Sequence, residues 1–165
     1  MIFGIGTDIV RVVRMEKNLQ RFGEKFPRRI LTENELDDYE KEKKQAHFLA
    51  RRFAAKEATV KAMGLGFSGG LGWRQIGVNH DDKGKPLLEF SGFASEFVRD
   101  NCIVETYVSL ADEDDYAVAV VALYTKLVST LPRTGASMMH ADSTLWCRWP
   151  ALAVPRMHEL ATACW

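Results

Sequence analysis

An α+β fold, with a mainly antiparallel sheet packed against a long helix, is predicted from three features of this 165-residue chain. Alternating apolar runs stand at both ends of the first 126 residues: "IFGIGT" at the start, and the pair "VETYVSL" and "YAVAVVALY" around "ADEDD" at the end. Between them come three consecutive segments with helical periodicity. A second strand pair follows, "WRQIGV" and "KPLLEF" joined by the turn "NHDDKG", and then a short helical stretch, "FASEFVRDN". The order β-α-α-α-β-β-α-β-β is that of a single α+β domain.

In the first strand, residues 2–7, alternation puts Gly4, Gly6 and Asp8 on one side and Phe3, Ile5 and Thr7 on the other. The side carrying Asp8 therefore has almost no side-chain bulk, which leaves room for something to approach. A helix is expected next, through about Phe26, with Val12, Met15, Leu19 and Phe22 as its apolar stripe and Pro27 as its end. Arg11, Arg14, Arg21 and Lys25 share one quadrant of that helix, continued by Arg28 and Arg29. Such a stripe is ordinarily a solvated face. In a chain of net charge zero it is also a local asymmetry able to dock an acidic partner.

The segment "TENELDDYEKEKK" opens with a capping box, Thr32 and Glu35, and reads as structural. A long helix then runs from about Ala46 to Met63 and stops at Gly64, carrying "RRFAAKEATVKAMG". With Glu57 as origin, Ala50, Phe53, Ala54, Lys61 and Gly64 fall within roughly 60° of it. Ala55, Ala58 and Ala62 make a small-residue edge suited to close packing. The glycine-rich segment "GLGFSGGLG" follows immediately.

Taken alone, Glu57 and Lys61 are an ion pair one turn apart, worth about 0.2–0.5 kcal/mol. Asp8, where a strand gives way to a helix, has the ordinary explanation of a helix N-cap. Yet both carboxylates lie on faces cleared by glycine or alanine. Two carboxylates that meet in space suit Mg²⁺, which takes one or two of them and completes its octahedron with water and phosphate oxygens. Lys61 and the glycine-rich segment would then hold phosphates, by charge and by backbone N–H. His47, His80, His140 and His158 have no ligand spacing and read as surface residues.

Composition limits the remaining classes. Net charge zero argues against nucleic acid, and no apolar run is long enough to span a bilayer. The start "MIFGIGTDIV" lacks the charged region of a signal peptide. Cys102, Cys147 and Cys164 form no metal-ligand spacing, and so sparse a set suits a reducing, cytoplasmic setting. Composition changes at Lys126: the remaining residues, 127–165, hold no lysine, three prolines and three of the four tryptophans. They read as an appendage of unknown structure, with at most a short helix around "PRMHELATAC", while residues 1–126 form the functional domain.

"GIGTDIV", "RRFAAKEATVKAMG", "GKP" at 84–86 and "YVSL" before the last strand together resemble the holo-acyl-carrier-protein synthases, the short bacterial phosphopantetheinyl transferases. The resemblance runs in order from Met1 to about Leu123. It implies transfer of phosphopantetheine from coenzyme A to a serine of apo acyl carrier protein. By the same resemblance, Asp8 and Glu57 are the Mg²⁺ ligands. The chemistry of the transfer then makes Lys61 catalytic as a stabiliser of the charge built on the phosphoryl oxygens, and Glu57 catalytic as acceptor of the serine proton, directly or through a metal-bound water. Arg52, Lys56, Lys61, Gly64, Gly66 and Pro86 lie along coenzyme A, and Arg14 and Arg21 dock the carrier protein. Family members are trimers with active sites between protomers. Two departures stand out: Asp112 occupies a position where many members carry histidine, and such enzymes usually end near Tyr124. A metal-dependent phosphohydrolase and a non-catalytic module for an acidic partner are the alternatives, but the first has no need of a basic docking helix and the second no need of Asp8 and Glu57.

Overall fold

The computed structural model describes residues 1–126, so the expectations for residues 127–165, including the short helix, fall outside it. Strand β1 (Ile2–Arg11) leads into α1 (Val12–Phe22), α2 (Lys25–Ile30), α3 (Glu33–Lys41) and the long α4 (Gln45–Met63). The hairpin β2 (Ile76–His80) and β3 (Pro86–Phe90) is followed by α5 (Gly92–Asp100) and a second hairpin, β4 (Ile103–Asp112) and β5 (Tyr116–Thr125). β1, β5 and β4 form one antiparallel sheet in that order, and β2 and β3 form another.

The helix expected to reach Phe26 is two helices. The chain turns at Gly23, where φ is +54°, a conformation that costs glycine no Cβ clash. Pro27 does not end a helix but lies buried in the first turn of α2, where its missing N–H would have had no intrahelical partner anyway. β1 also runs four residues further than expected, so α1 starts after Arg11 and Asp8 caps nothing. The expected basic stripe is thereby divided: Arg11 ends the strand, Lys25 opens α2, and only Arg14 and Arg21 of it remain on α1. Of the apolar stripe, Val12 and Met15 are buried, whereas Phe22 is exposed.

α4 is the centre of the molecule. It packs across β1 and β5, with Leu49, Ala50, Ala54, Ala55 and Ala58 fully buried. It stops where expected, at Gly64 in the left-handed conformation (φ 71°, ψ 25°). The bare face of β1 is explained here. A Cβ on Gly4 would stand 2.0 Å from the carbonyl oxygen of Ala62, and one on Gly6 would stand 1.9 Å from that of Ala58. The space beside Asp8 therefore holds the backbone of α4 rather than lying open to a ligand, and Ala58 and Ala62 supply the matching low surface.

Candidate active site

This backbone-to-backbone contact carries Asp8 to the C-terminal half of α4. The ammonium of Lys61 donates to Asp8 Oδ1 at 2.8 Å and to the carbonyl of Thr7 at 3.0 Å. Glu57 lies half-buried one turn earlier on the same helix. Its pKa is raised, first by burial and then by the negative charge of Asp8, with Lys61 and Arg14 opposing the shift. The two carboxylates thus repel one another across the β1–α4 contact. Two carboxylates set close together are oxygen donors of the kind that a hard divalent cation takes. Among the described residues no cluster of three or more His, Cys, Asp or Glu side chains is assembled, so Asp8 and Glu57 are the donors on which the fit rests.

Lys56, expected along coenzyme A, is instead part of the core. It has no exposed surface, and its ammonium donates to Glu35 Oε2 at 2.7 Å and to the carbonyls of Ile30, Trp73 and Ile76 at 2.8, 3.1 and 2.6 Å. Four acceptors for three N–H bonds leave nothing for a phosphate. Glu35 does more than close its capping box with Thr32: its Oε1 also accepts from the backbone of Val78 at 3.0 Å.

The other predicted residues divide between two places. Gly64 and Gly66 are exposed just beyond Lys61, in the glycine-rich segment. Arg52 and Pro86 meet instead on the wall of a cavity of about 490 Å³, together with Phe48, Arg51, His80 and Gly84. Asp8, Glu57 and Lys61 are not among its lining residues. Arg52 is buried, with its guanidinium carbon 4.4 Å from the centre of the Phe48 ring and its Nε unpartnered, 3.6 Å from Glu35 Oε1. Burial lowers its pKa, and Glu35 opposes that shift.

His80 is exposed, as expected, whereas His47 is partly buried. His80 lines the cavity, and burial followed by the charge of Arg52 lowers its pKa. His47 Nδ1 lies 3.1 Å from Asp112 Oδ2, which also accepts from Arg51 at 2.9 Å. Asp112 therefore ties the end of β4 to the start of α4, a link for which spacing in the sequence holds no signal. On α1, Arg14 stands 5.2 Å over the ring of Phe53, while Arg21 covers Phe22.

Residues 4–121 match the family model described as the 4'-phosphopantetheinyl transferase superfamily. The chain belongs to that superfamily. A holo-[acyl-carrier-protein] synthase of Nitrosococcus oceani is 49% identical over 145 residues, 88% of this chain and 93% of that protein. That match is longer than the 126 described residues, so it continues past Lys126. The crystal structure of holo-[acyl-carrier-protein] synthase from Neisseria meningitidis superposes with a TM-score of 0.72 at 40% identity, covering 76% of this chain and 100% of that one. A Bacillus anthracis synthase, solved in complex with coenzyme A (3',5'-ADP), superposes with a TM-score of 0.63 at 38% identity, covering 76% and 99%. The expected α+β fold and family are borne out.

Proposed function

We propose that this chain is a Mg²⁺-dependent holo-[acyl-carrier-protein] synthase serving fatty acid biosynthesis. It transfers 4'-phosphopantetheine from coenzyme A to a serine of apo acyl carrier protein and releases adenosine 3',5'-bisphosphate. The observation that carries the reading is the junction of Asp8, Glu57 and Lys61 across the β1–α4 contact. Asp8 and Glu57 would hold the Mg²⁺, which supplies fixed positive charge against the pyrophosphate. Lys61 is half-exposed, and a surface ion pair is worth only about 0–1 kcal/mol, so its ammonium leaves Asp8 for a phosphate oxygen at small cost. As the serine oxygen bonds to the β-phosphorus, the bond to the leaving bisphosphate breaks and the serine proton passes to Glu57.

The division of the site supports a trimer with active sites between protomers. The outward face of the β1-β5-β4 sheet exposes Ile5, Ile9, Val118, Val120 and Tyr107, an apolar surface that a second copy would cover. The Arg52–Pro86 cavity of one protomer would then complete the coenzyme A site of its neighbour, with Gly64 and Gly66 along the cofactor. Arg14 and Arg21 would dock the acidic carrier. A cytoplasmic setting goes with these partners; among the described residues no helix is long and apolar enough to cross a membrane.

Incubation with coenzyme A, Mg²⁺ and apo carrier, followed by intact-mass measurement of the carrier, is the direct test. The expected result is gain of one phosphopantetheine. An unmodified carrier with any divalent metal would sink the reading, and coenzyme A cleaved without gain on the carrier would point to a hydrolase.

A further inference from the structure

Lys56 takes no part in the junction of Asp8, Glu57 and Lys61, yet it is the residue next to Glu57 and, among the described residues, a fully buried cation with four acceptors. Its acceptors share a property: each lies at an end of an element. Ile30 is the last residue of α2, Glu35 belongs to the first turn of α3, Trp73 opens a short 3-10 turn (Trp73–Gln75), and Ile76 is the first residue of β2. The last carbonyls of a helix and those of a connecting turn have no partner of their own within the element. One ammonium supplies donors to all of them.

Trp73 gives this arrangement its consequence. Its carbonyl is held by Lys56 while its indole stacks on Phe67 (ring centres 3.7 Å apart, 21° between planes) and against Phe53 (4.5 Å). Phe67 lies in the middle of the glycine-rich segment. That segment leaves α4 at Gly64, seven residues after Glu57, and returns to α4 through Trp73 and Lys56. Both of its ends are therefore fastened to the helix that carries Glu57 and Lys61. Within it, Gly69 and Gly70 take φ of +62° and +101°, and two backbone hydrogen bonds (Ser68 to Gly66, Leu71 to Ser68) shape the turn. Gln75 holds the Gly70 carbonyl and Leu71 is buried, while the stack on Trp73 is what joins Phe67 to the carbonyl that Lys56 holds.

We propose that Lys56 is a positioning residue: from the core it fixes segment 65–72 against Glu57 and Lys61 and so sets the affinity for coenzyme A. This rests on the reading that the segment lies along coenzyme A. Lys56 touches no reacting atom, and its loss acts through Trp73 and Phe67.

Two variants of the full-length chain test this, Lys56→Gln and, because a core change can prevent folding, Phe67→Ala, which breaks the same link at the half-buried end. Hydrogen exchange followed by mass spectrometry comes first, without substrate. Amides 65–72 should exchange at least about 10-fold faster in either variant, the equivalent of one lost hydrogen bond to a charged group, while amides 57–63 keep wild-type protection. Steady-state transfer should then show KM for coenzyme A raised about 10-fold with kcat within about 3-fold. Exchange rising equally over the whole domain, or KM unmoved in a folded variant, would make Lys56 a stabilising residue only and overturn the proposal. A collapse of kcat at unchanged KM would place it at the reacting atoms and overturn it as well. Failure of the wild-type chain to transfer would refute the functional reading alone, because the exchange comparison needs no transfer.

Discussion

Lys56 and Glu57 are consecutive residues of α4 whose side chains leave the helix about 100° apart. Lys56 enters the core and finds a carboxylate and three carbonyls; Glu57 faces Asp8, a second negative charge, in a half-buried position that raises its pKa. The first environment is what a folded chain does with a charge it must bury. The second disfavours the ionised form, by burial and then by the charge of Asp8, which Lys61 and Arg14 offset only in part. Burial disfavours the charged form of both, lowering the pKa of Lys56 and raising that of Glu57. They differ in that Lys56 is satisfied by an acceptor for every N–H, whereas Glu57 is left in conflict with a like charge.

The sharpest way to test this contrast is Glu57→Gln. Transfer should fall by about 10³-fold or more, since a neutral amide neither holds a cation nor accepts the serine proton. Stability of the metal-free protein should not fall with it. Because the folded pKa of Glu57 is raised, its ionised form opposes folding, and that penalty is present once the pH has risen through the folded pKa. At neutral pH, Glu57→Gln should melt at or above the wild-type temperature in a chelator. In the same chelator, wild-type stability should begin to rise on acidification at a higher pH than an ordinary glutamate would set. A clearly lower melting temperature for the variant would remove Glu57 from the conflicted class.

The matching change on the satisfied side is Glu35→Ala. It leaves the Lys56 ammonium buried on three carbonyls with no counter-charge, leaves the Val78 N–H without its acceptor and opens the capping box of α3. Removing one partner of a buried pair costs about 3–5 kcal/mol, which chemical denaturation would register. A loss under about 1 kcal/mol would show that the interior tolerates the unpaired ammonium. Next in size is Gly6→Ala. The added methyl meets the Ala58 carbonyl, so β1 must move from α4, at roughly 1–3 kcal/mol. Since that contact sets Asp8 against Glu57, transfer should drop further than stability does. Equal, small losses would mean that the two elements shift without disturbing the carboxylates.

What could be read from the sequence was local. Thr32 and Glu35 are three residues apart, and the capping box they predict is present; Gly64 ends α4 where a C-cap glycine should. Asp8, Glu57 and Lys61 were legible as candidates because their residue types on small-residue faces are unusual. What occupied those faces was not legible. The bare side of β1 is filled by a helix fifty residues later, and only the fold brings the two together. Lys56 was misread for a related reason: its partners are mostly backbone carbonyls 17 to 26 residues away, and carbonyls leave no signature in a sequence. Pro27 misled because proline ends a helix or begins one, and the choice lay with Gly23.

Arg14 lies on the border between the two environments. Its guanidinium rests over Phe53, an exposed-site cation–π contact worth about 0.5–1 kcal/mol, while its charge also reaches Glu57. If its main service is to an acidic carrier helix, Arg14→Glu should raise KM for the carrier about 10-fold at low salt and much less at 0.5 M salt, where screening shortens the reach of surface charge. KM for coenzyme A should stay near wild type. A salt-independent defect, or one confined to kcat, would instead assign Arg14 to Glu57. The charge reversal would then act by removing a cation that, in the metal-free protein, opposes the raised pKa of Glu57.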